Sequence, residues 1–121
     1  MNYRSYSFEK LEAWQQARAL AKVIFTLTKD FPAEEKFGIV SQMRRSAVSV
    51  CSNLAEGSAR ITNKDKAHFC TQSYSSLMEL LNQLILSHDF EYISTENYHH
   101  SRQLIDKVAP LISGLRKSIL R

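Results

Sequence analysis

Apolar residues recur along this chain at the three- and four-residue spacing of amphipathic helices, in four runs separated by three breaks. In the first run Leu11, Trp14, Ala17, Ala21, Ile24, Thr28 and Phe31 form one seam, widened by Leu20 and Leu27. Ser7 suits the N-cap, and Glu9 and Glu12 stand in early turns, where a carboxylate meets the positive end of a helix. Pro32 ends the run, because the residue before proline is driven out of the helical region. The pattern predicts a helix over 8–31. Val40, Met43, Ala47, Val50 and Leu54 mark a second helix over 35–60. A third follows over 64–90, with Asn63 as its expected cap and Asp65 in its first turn. Its stretch LMELLNQLIL is apolar on most sides, as suits either a central place in a bundle or a flank against another subunit.

The fourth run, capped by Ser94 or Thr95, predicts a helix over 95–120. It would bury Tyr98, Leu104, Ile105, Val108, Leu111, Ile112, Leu115 and Ile119. Pro110 lies inside it. An interior proline removes a backbone donor and clashes with the preceding turn, at ~3 kcal/mol, so a kink or a break is expected there. Strand signals and internal repeats are absent from the sequence. Short connections between long helices make antiparallel neighbours, so the fold expected is all-α: an up-down-up-down four-helix bundle over 8–121, preceded by an arm over 1–7.

Composition changes this picture little. A chain of 121 residues, 44% hydrophobic and 23% charged, has the length and usage of one domain with a core of its own. Three Gly and two Pro are too few for a sandwich or barrel. Cys51 and Cys70 form no CxxC pair and fall inside helical patterns, so they are expected to be buried free thiols of a reducing compartment. The first seven residues lack the apolar run of a secretory leader, and nothing approaches the ~18 apolar residues of a membrane span. A cytoplasmic location without membrane contact is expected.

The second helix carries a less ordinary feature. Gln42, Arg45, Ser49, Asn53, Glu56 and Arg60 recur along one face beside its apolar line. A half-buried Arg45 needs a carboxylate and neutral acceptors, and Glu56, Gln42 and Asn53 are suitable types. Yet Arg45 and Glu56 stand roughly three turns apart. Each would have to be answered by another helix or another copy, with Glu35, Glu79 and Gln83 as candidates. The small residues Ser46, Ser49, Ser52 and Ala55 would let a second helix come close. The stripe therefore reads as a device that orders the bundle or a subunit interface. A partner surface and an ordinary solvated face remain its alternatives.

The order Phe31-Pro32, Glu35, Phe37-Gly38, Gln42, Arg44-Arg45, Ser49, Asn53, Ala55-Glu56-Gly57 and Arg60 resembles the signature of the four-helix-bundle proteins encoded in 23S rRNA intervening sequences, a ribosomal-protein-like family. The likeness takes in Leu11, Trp14, Gln15 and Ala17 of the first run, and Phe69, Ser76, Glu79, Leu80 and Leu84 of the third. It implies a left-handed antiparallel bundle that assembles into a ring, typically a homopentamer, with no established enzyme activity and an association with ribosomal RNA. Related bundles serve as accessory subunits of reverse transcriptases in diversity-generating retroelements, as basic pentameric barrels that bind nucleic acid and the polymerase. Where that family tends to carry a small AxGS cluster, this chain has Ser73, Tyr74, Ser75 and Ser76, so a looser helix contact is expected there.

Charge adds a partner class. The net charge is +4, with a pI near 9.2, and two basic clusters stand out. One comprises Arg60, Lys64 and Lys66, the other Arg116, Lys117 and Arg121. Repeated around a ring, each patch would add its phosphate attraction across copies. Arg116 and Lys117 equally suit the negative end of a helix. Trp14, Phe25, Phe31, Phe69 and Tyr74 read as core or interface, while Tyr3 and Tyr6 lie in the arm. Catalysis finds no support. No Glu-x-x-His pair, GxSxG, HExxH, Walker A or GxGxxG run occurs, and adjacent His99 and His100 point about 100° apart on a helix. No catalytic set, metal site or cofactor motif is assigned. The leading expectation is a non-enzymatic oligomeric scaffold for structured RNA. A protein–protein adaptor, such as an accessory subunit of a reverse-transcriptase-like partner, is the competitor, and a small-molecule or metal-binding bundle the third possibility.

Overall fold

The computed structural model describes residues 2–121; Met1, the first residue of the expected arm, lies outside them. Four helices follow one another: α1 (Glu12–Thr28), α2 (Ile39–Ser58), α3 (Asn63–Asp89) and α4 (Thr95–Leu120). Short 3-10 segments at Ser7–Lys10 and Ala33–Glu35 precede α1 and α2. Each helix packs on its chain neighbours, and α4 closes the square against α1. This is an all-α up-down-up-down bundle, as the spacing of apolar residues requires.

The core runs the length of the bundle through Leu20, Ile24, Met43, Val50, Leu77, Leu80, Leu84, Ile105, Val108 and Ile112. The apolar line read for α2 is buried at every position, from Val40 to Leu54. On α1 the buried line is Ala13, Ala17, Leu20, Ile24 and Thr28, while Trp14 and Ala21 are half-buried at its flank. The large Trp14 lies at the edge because the small Ala13 and Ala17 let the neighbouring helices approach.

The ends of the helices depart from the sequence-based expectation in instructive ways. The first helix breaks at its start: Ser7–Lys10 is a 3-10 turn, and α1 begins only at Glu12. Glu9 folds back to accept from the Tyr6 backbone N–H at 2.7 Å, and the Phe8 ring meets Trp14 edge-on at 5.0 Å. These contacts lay the segment over the bundle end. The cap of α3 is Thr62, one residue before the Asn63 expected, with its hydroxyl accepting from the Asp65 N–H at 3.1 Å. Ser94 caps α4 in the same manner, accepting from the Asn97 N–H.

Two further expectations are corrected. Of the kink or break expected at Pro110, the break does not occur: the residue sits on the exposed side of one continuous α-helix. Core packing of Val108 and Ile112 on either side holds the turn that proline alone would disfavour. Nor is the α2–α3 contact loosened by the Ser73–Ser76 run. Ser73 is fully buried and donates to the Val50 carbonyl at 2.8 Å, and the Ser76 and Ser49 hydroxyls meet at 2.8 Å. The two helices make the most extensive contact in the bundle.

After α3 the chain turns through Glu91 at φ 64°, with Tyr92 N–H donating to the Ser87 carbonyl and Glu91 N–H to the His88 carbonyl. That is the Schellman pattern, with glutamate in the left-handed position usually given to glycine.

Candidate nucleic-acid interface

Antiparallel alternation decides which chain ends share an end of the bundle. The start of α1, the α2–α3 turn and the last turns of α4 meet at one end; the α1–α2 connection and the α3–α4 turn meet at the other. Ser7, Leu11, Gly57, Ser58, Lys66, Leu115 and Ile119 line one hollow at the first of these ends, so these segments touch there. The two basic clusters, far apart in sequence, are thereby gathered at one place. Arg60, Lys64 and Lys66 enter from the α2–α3 turn, and Arg116, Lys117 and Arg121 from α4. Lys10 joins them from the 3-10 segment before α1, a contribution that local clustering in the sequence does not signal.

The cations at this end are held differently. Lys64, Lys117 and Arg121 are exposed. Arg116 is tied to α3, its Nε donating to Thr71 Oγ1 at 3.1 Å. Lys66 is half-buried and donates from Nζ to the Ser58 carbonyl at 3.2 Å, answering one of the free carbonyls at the end of α2. Arg60 approaches Asp65 at 3.5 Å and lies over the Phe69 ring at 5.4 Å. The Arg60–Asp65 contact is the one ion pair among the described residues, and the cations of this end outnumber its carboxylates Glu9, Glu12, Glu56 and Asp65. At the far end Asp30, Glu34, Glu35, Asp89, Glu91 and Glu96 outnumber Lys29, Lys36 and Arg44. The bundle is electrically polar along its axis.

The polar stripe of α2 runs up the groove toward α3. Ser49 bonds to Ser76, and Asn53 Nδ2 donates to the Ser49 carbonyl at 2.9 Å and to its hydroxyl at 3.1 Å. Gln42, Arg45, Glu56 and Arg60 lie on the exposed side. Within one chain Arg45 and Glu56 have no ion-pair partner among the described residues: Glu79 instead accepts from Gln83 Nε2 at 3.3 Å, and the Glu35 carboxylate folds back beside Gly38. Two buried polar atoms beside the groove, Ser46 Oγ and Gln83 Oε1, have no hydrogen-bond partner.

A sequence profile of the family described as 23S rRNA-intervening sequence protein matches residues 9–114. The chain belongs to that family. A solved structure from Bacteroides thetaiotaomicron, a protein of unknown function from the S23 ribosomal protein family, superposes with a TM-score of 0.80 at 23% identity. The match covers 87% of this chain and 95% of the other, and at that identity it speaks for the fold alone. No curated protein matches.

In this chain the paired arginines of α2 divide their work. Arg45 points outward, whereas Arg44, about 100° round the helix, turns to α1. Arg44 Nε donates to Thr28 Oγ1 at 2.9 Å and an amino group to the Phe25 carbonyl at 3.3 Å, with the guanidinium 4.8 Å from the Phe25 ring centroid. It ties α2 to the negative end of α1. The polar stripe includes only Arg45; the helical position of Arg44, on the opposite flank of the core, was the available signal for its separate role.

Both cysteines are free. Burial pushes the Cys51 thiol up to about 11, and raises Cys70 as well, with Arg116 opposing the shift more weakly. Both shifts favour the protonated thiol over the reactive thiolate. Among the described residues no three His, Cys, Asp or Glu side chains gather to hold a metal ion, and no helix is long and apolar enough to cross a membrane.

Proposed function

We propose that this protein is a non-enzymatic, cytoplasmic scaffold that binds structured RNA, ribosomal RNA or a ribonucleoprotein, through the basic end of its bundle. The carrying observation is the convergence of Arg60, Lys64, Lys66, Arg116, Lys117 and Arg121 at one end, opposite an end rich in carboxylates. Phosphate binding needs clustered, unneutralised cations, and displaced counterions supply the affinity. Family membership supports the RNA class. The working form is a homo-oligomer, a pentamer by family resemblance, in which each modest basic end repeats around the ring.

Binding to a structured ribosomal RNA fragment, measured across salt concentrations, tests the reading. Affinity should fall steeply as salt rises. Reversing Lys64, Lys117 and Arg121 to Glu should weaken binding and flatten the salt slope by roughly one unit for each phosphate no longer neutralised. Absence of binding at low salt to any structured RNA overturns it. A second reading, an adaptor for a protein partner such as a reverse-transcriptase-like polymerase, draws on the exposed Phe25 and Val48 beside Trp14 along the α1–α2 groove. Capture of such a partner with no RNA dependence would favour it.

A further inference from the structure

The hollow at the basic end has a chemistry of its own. It is a half-open hollow of about 210 Å³ between the end of α2, the start of α3 and the last turns of α4, with Ser7 and Leu11 at its edge. Leu11, Leu54, Leu115 and Ile119 supply apolar walls, and the buried Cys70 thiol stands among them. Lys66 also lines it. Its ammonium spends one N–H on the Ser58 carbonyl and has no carboxylate within ion-pair distance, since the one such pair among the described residues is Arg60–Asp65. A partly buried ammonium beside apolar surface keeps two N–H donors free, and an anion can accept from them. The first turn of α3, where Lys66 sits, adds potential of the same sign.

Volume sets the size of the ligand. A dry cavity of about 150 Å³ accepts benzene, so this one has room for a ring with two or three further carbons, or a chain of roughly seven. The hollow therefore combines apolar walls with one lysine that has no carboxylate partner among the described residues.

We propose that it binds a small amphipathic carboxylate, such as a medium-chain fatty acid or an arylalkanoate. The apolar body lies among Leu54, Leu115 and Ile119, and the carboxylate accepts from Lys66 Nζ. This proposal shares Lys66 with the RNA reading but rests on the apolar hollow beside it, and its test is read with no RNA present.

Titration of the full chain with octanoate, octanol and octylamine by calorimetry or NMR tests it. Octanoate should bind more tightly than octanol by roughly tenfold or more, the scale of one charge-assisted hydrogen bond, and octylamine more weakly than either. Octanoate should also slow alkylation of Cys70. In Lys66→Met its affinity should drop to that of octanol. Ile119→Trp, which fills the chamber from a half-exposed position in the last turn of α4, should abolish binding of both. Equal affinity for octanol and octanoate, no binding of octanoate, or full affinity in a folded Ile119→Trp variant would each overturn the proposal. The comparison of the three ligands uses the unaltered chain and so does not depend on a variant folding.

Discussion

Gly57 of α2 lies so close to Phe69 of α3 that a β-carbon built on it would stand 2.8 Å from the Phe69 β-carbon. No rotamer change relieves such a contact, because a β-carbon moves only with its backbone. Gly57→Ala should therefore push the two helices apart and destabilise the fold by about 1–3 kcal/mol, reduced by the ~1 kcal/mol that alanine gains over glycine in a helix. Gly114 of α4 meets nothing within 4 Å. Gly114→Ala should show the propensity gain alone, up to ~1 kcal/mol of added stability. Chemical denaturation of the two variants should move the midpoint in opposite directions.

Arg44 joins α2 to the end of α1 through Thr28 Oγ1 and the Phe25 carbonyl. Arg44→Met should cost about 1–2 kcal/mol, from charge-assisted hydrogen bonds at a partly exposed site. Arg44→Lys should recover less than half of that, since a lysine cannot make both bonds in the plane of a guanidinium while stacking on Phe25. Thermal melts of the three proteins decide the point.

Arg45 and Glu56 are exposed on the single chain and have no ion-pair partner there. Arg45→Ala and Glu56→Ala should then change the stability of the isolated bundle by ~0.5 kcal/mol or less. If the stripe faces a sister copy, light scattering should show a smaller mass for each variant at equal concentration. Parent mass in both would remove the stripe from the interface.

Burial holds the Cys51 thiol protonated up to about pH 11, against an ordinary value of 9.0. Above pH 9 the unfolded chain releases this proton while the folded chain keeps it, so folding stability falls as pH rises from 9 toward 11 and is unaffected by this group below 9. The melting temperature of Cys51→Ala should fall less over that window than the parent's. Alkylation of the folded protein at about pH 8 should be slow at Cys51.

Helix number, order and the whole buried line of α2 were legible in the sequence, because periodicity reports which face is apolar regardless of neighbours. Rotation of α1 was harder to read. Leu11 and Trp14 look like core by size, but Ala13 and Ala17 bury more completely because backbones close on small residues. Pro110 marked a kink or a break by local rules, and α4 continues unbroken through it between the buried Val108 and Ile112. Of the site, both basic clusters were visible as clusters. Their meeting at one end depends on the antiparallel path, which no local window contains. Arg44 and Lys66 show the same limit, since the carbonyls they answer are set by where helices end.

The opposed charge at the two ends gives every copy a head and a tail. Subunits standing side by side in the same sense would form a collar with one rim that draws a polyanion and one that repels it. An RNA strand could approach such a collar from a single direction only. The repelling rim would stay free of nucleic acid, available to whatever cationic surface the scaffold carries on its other side.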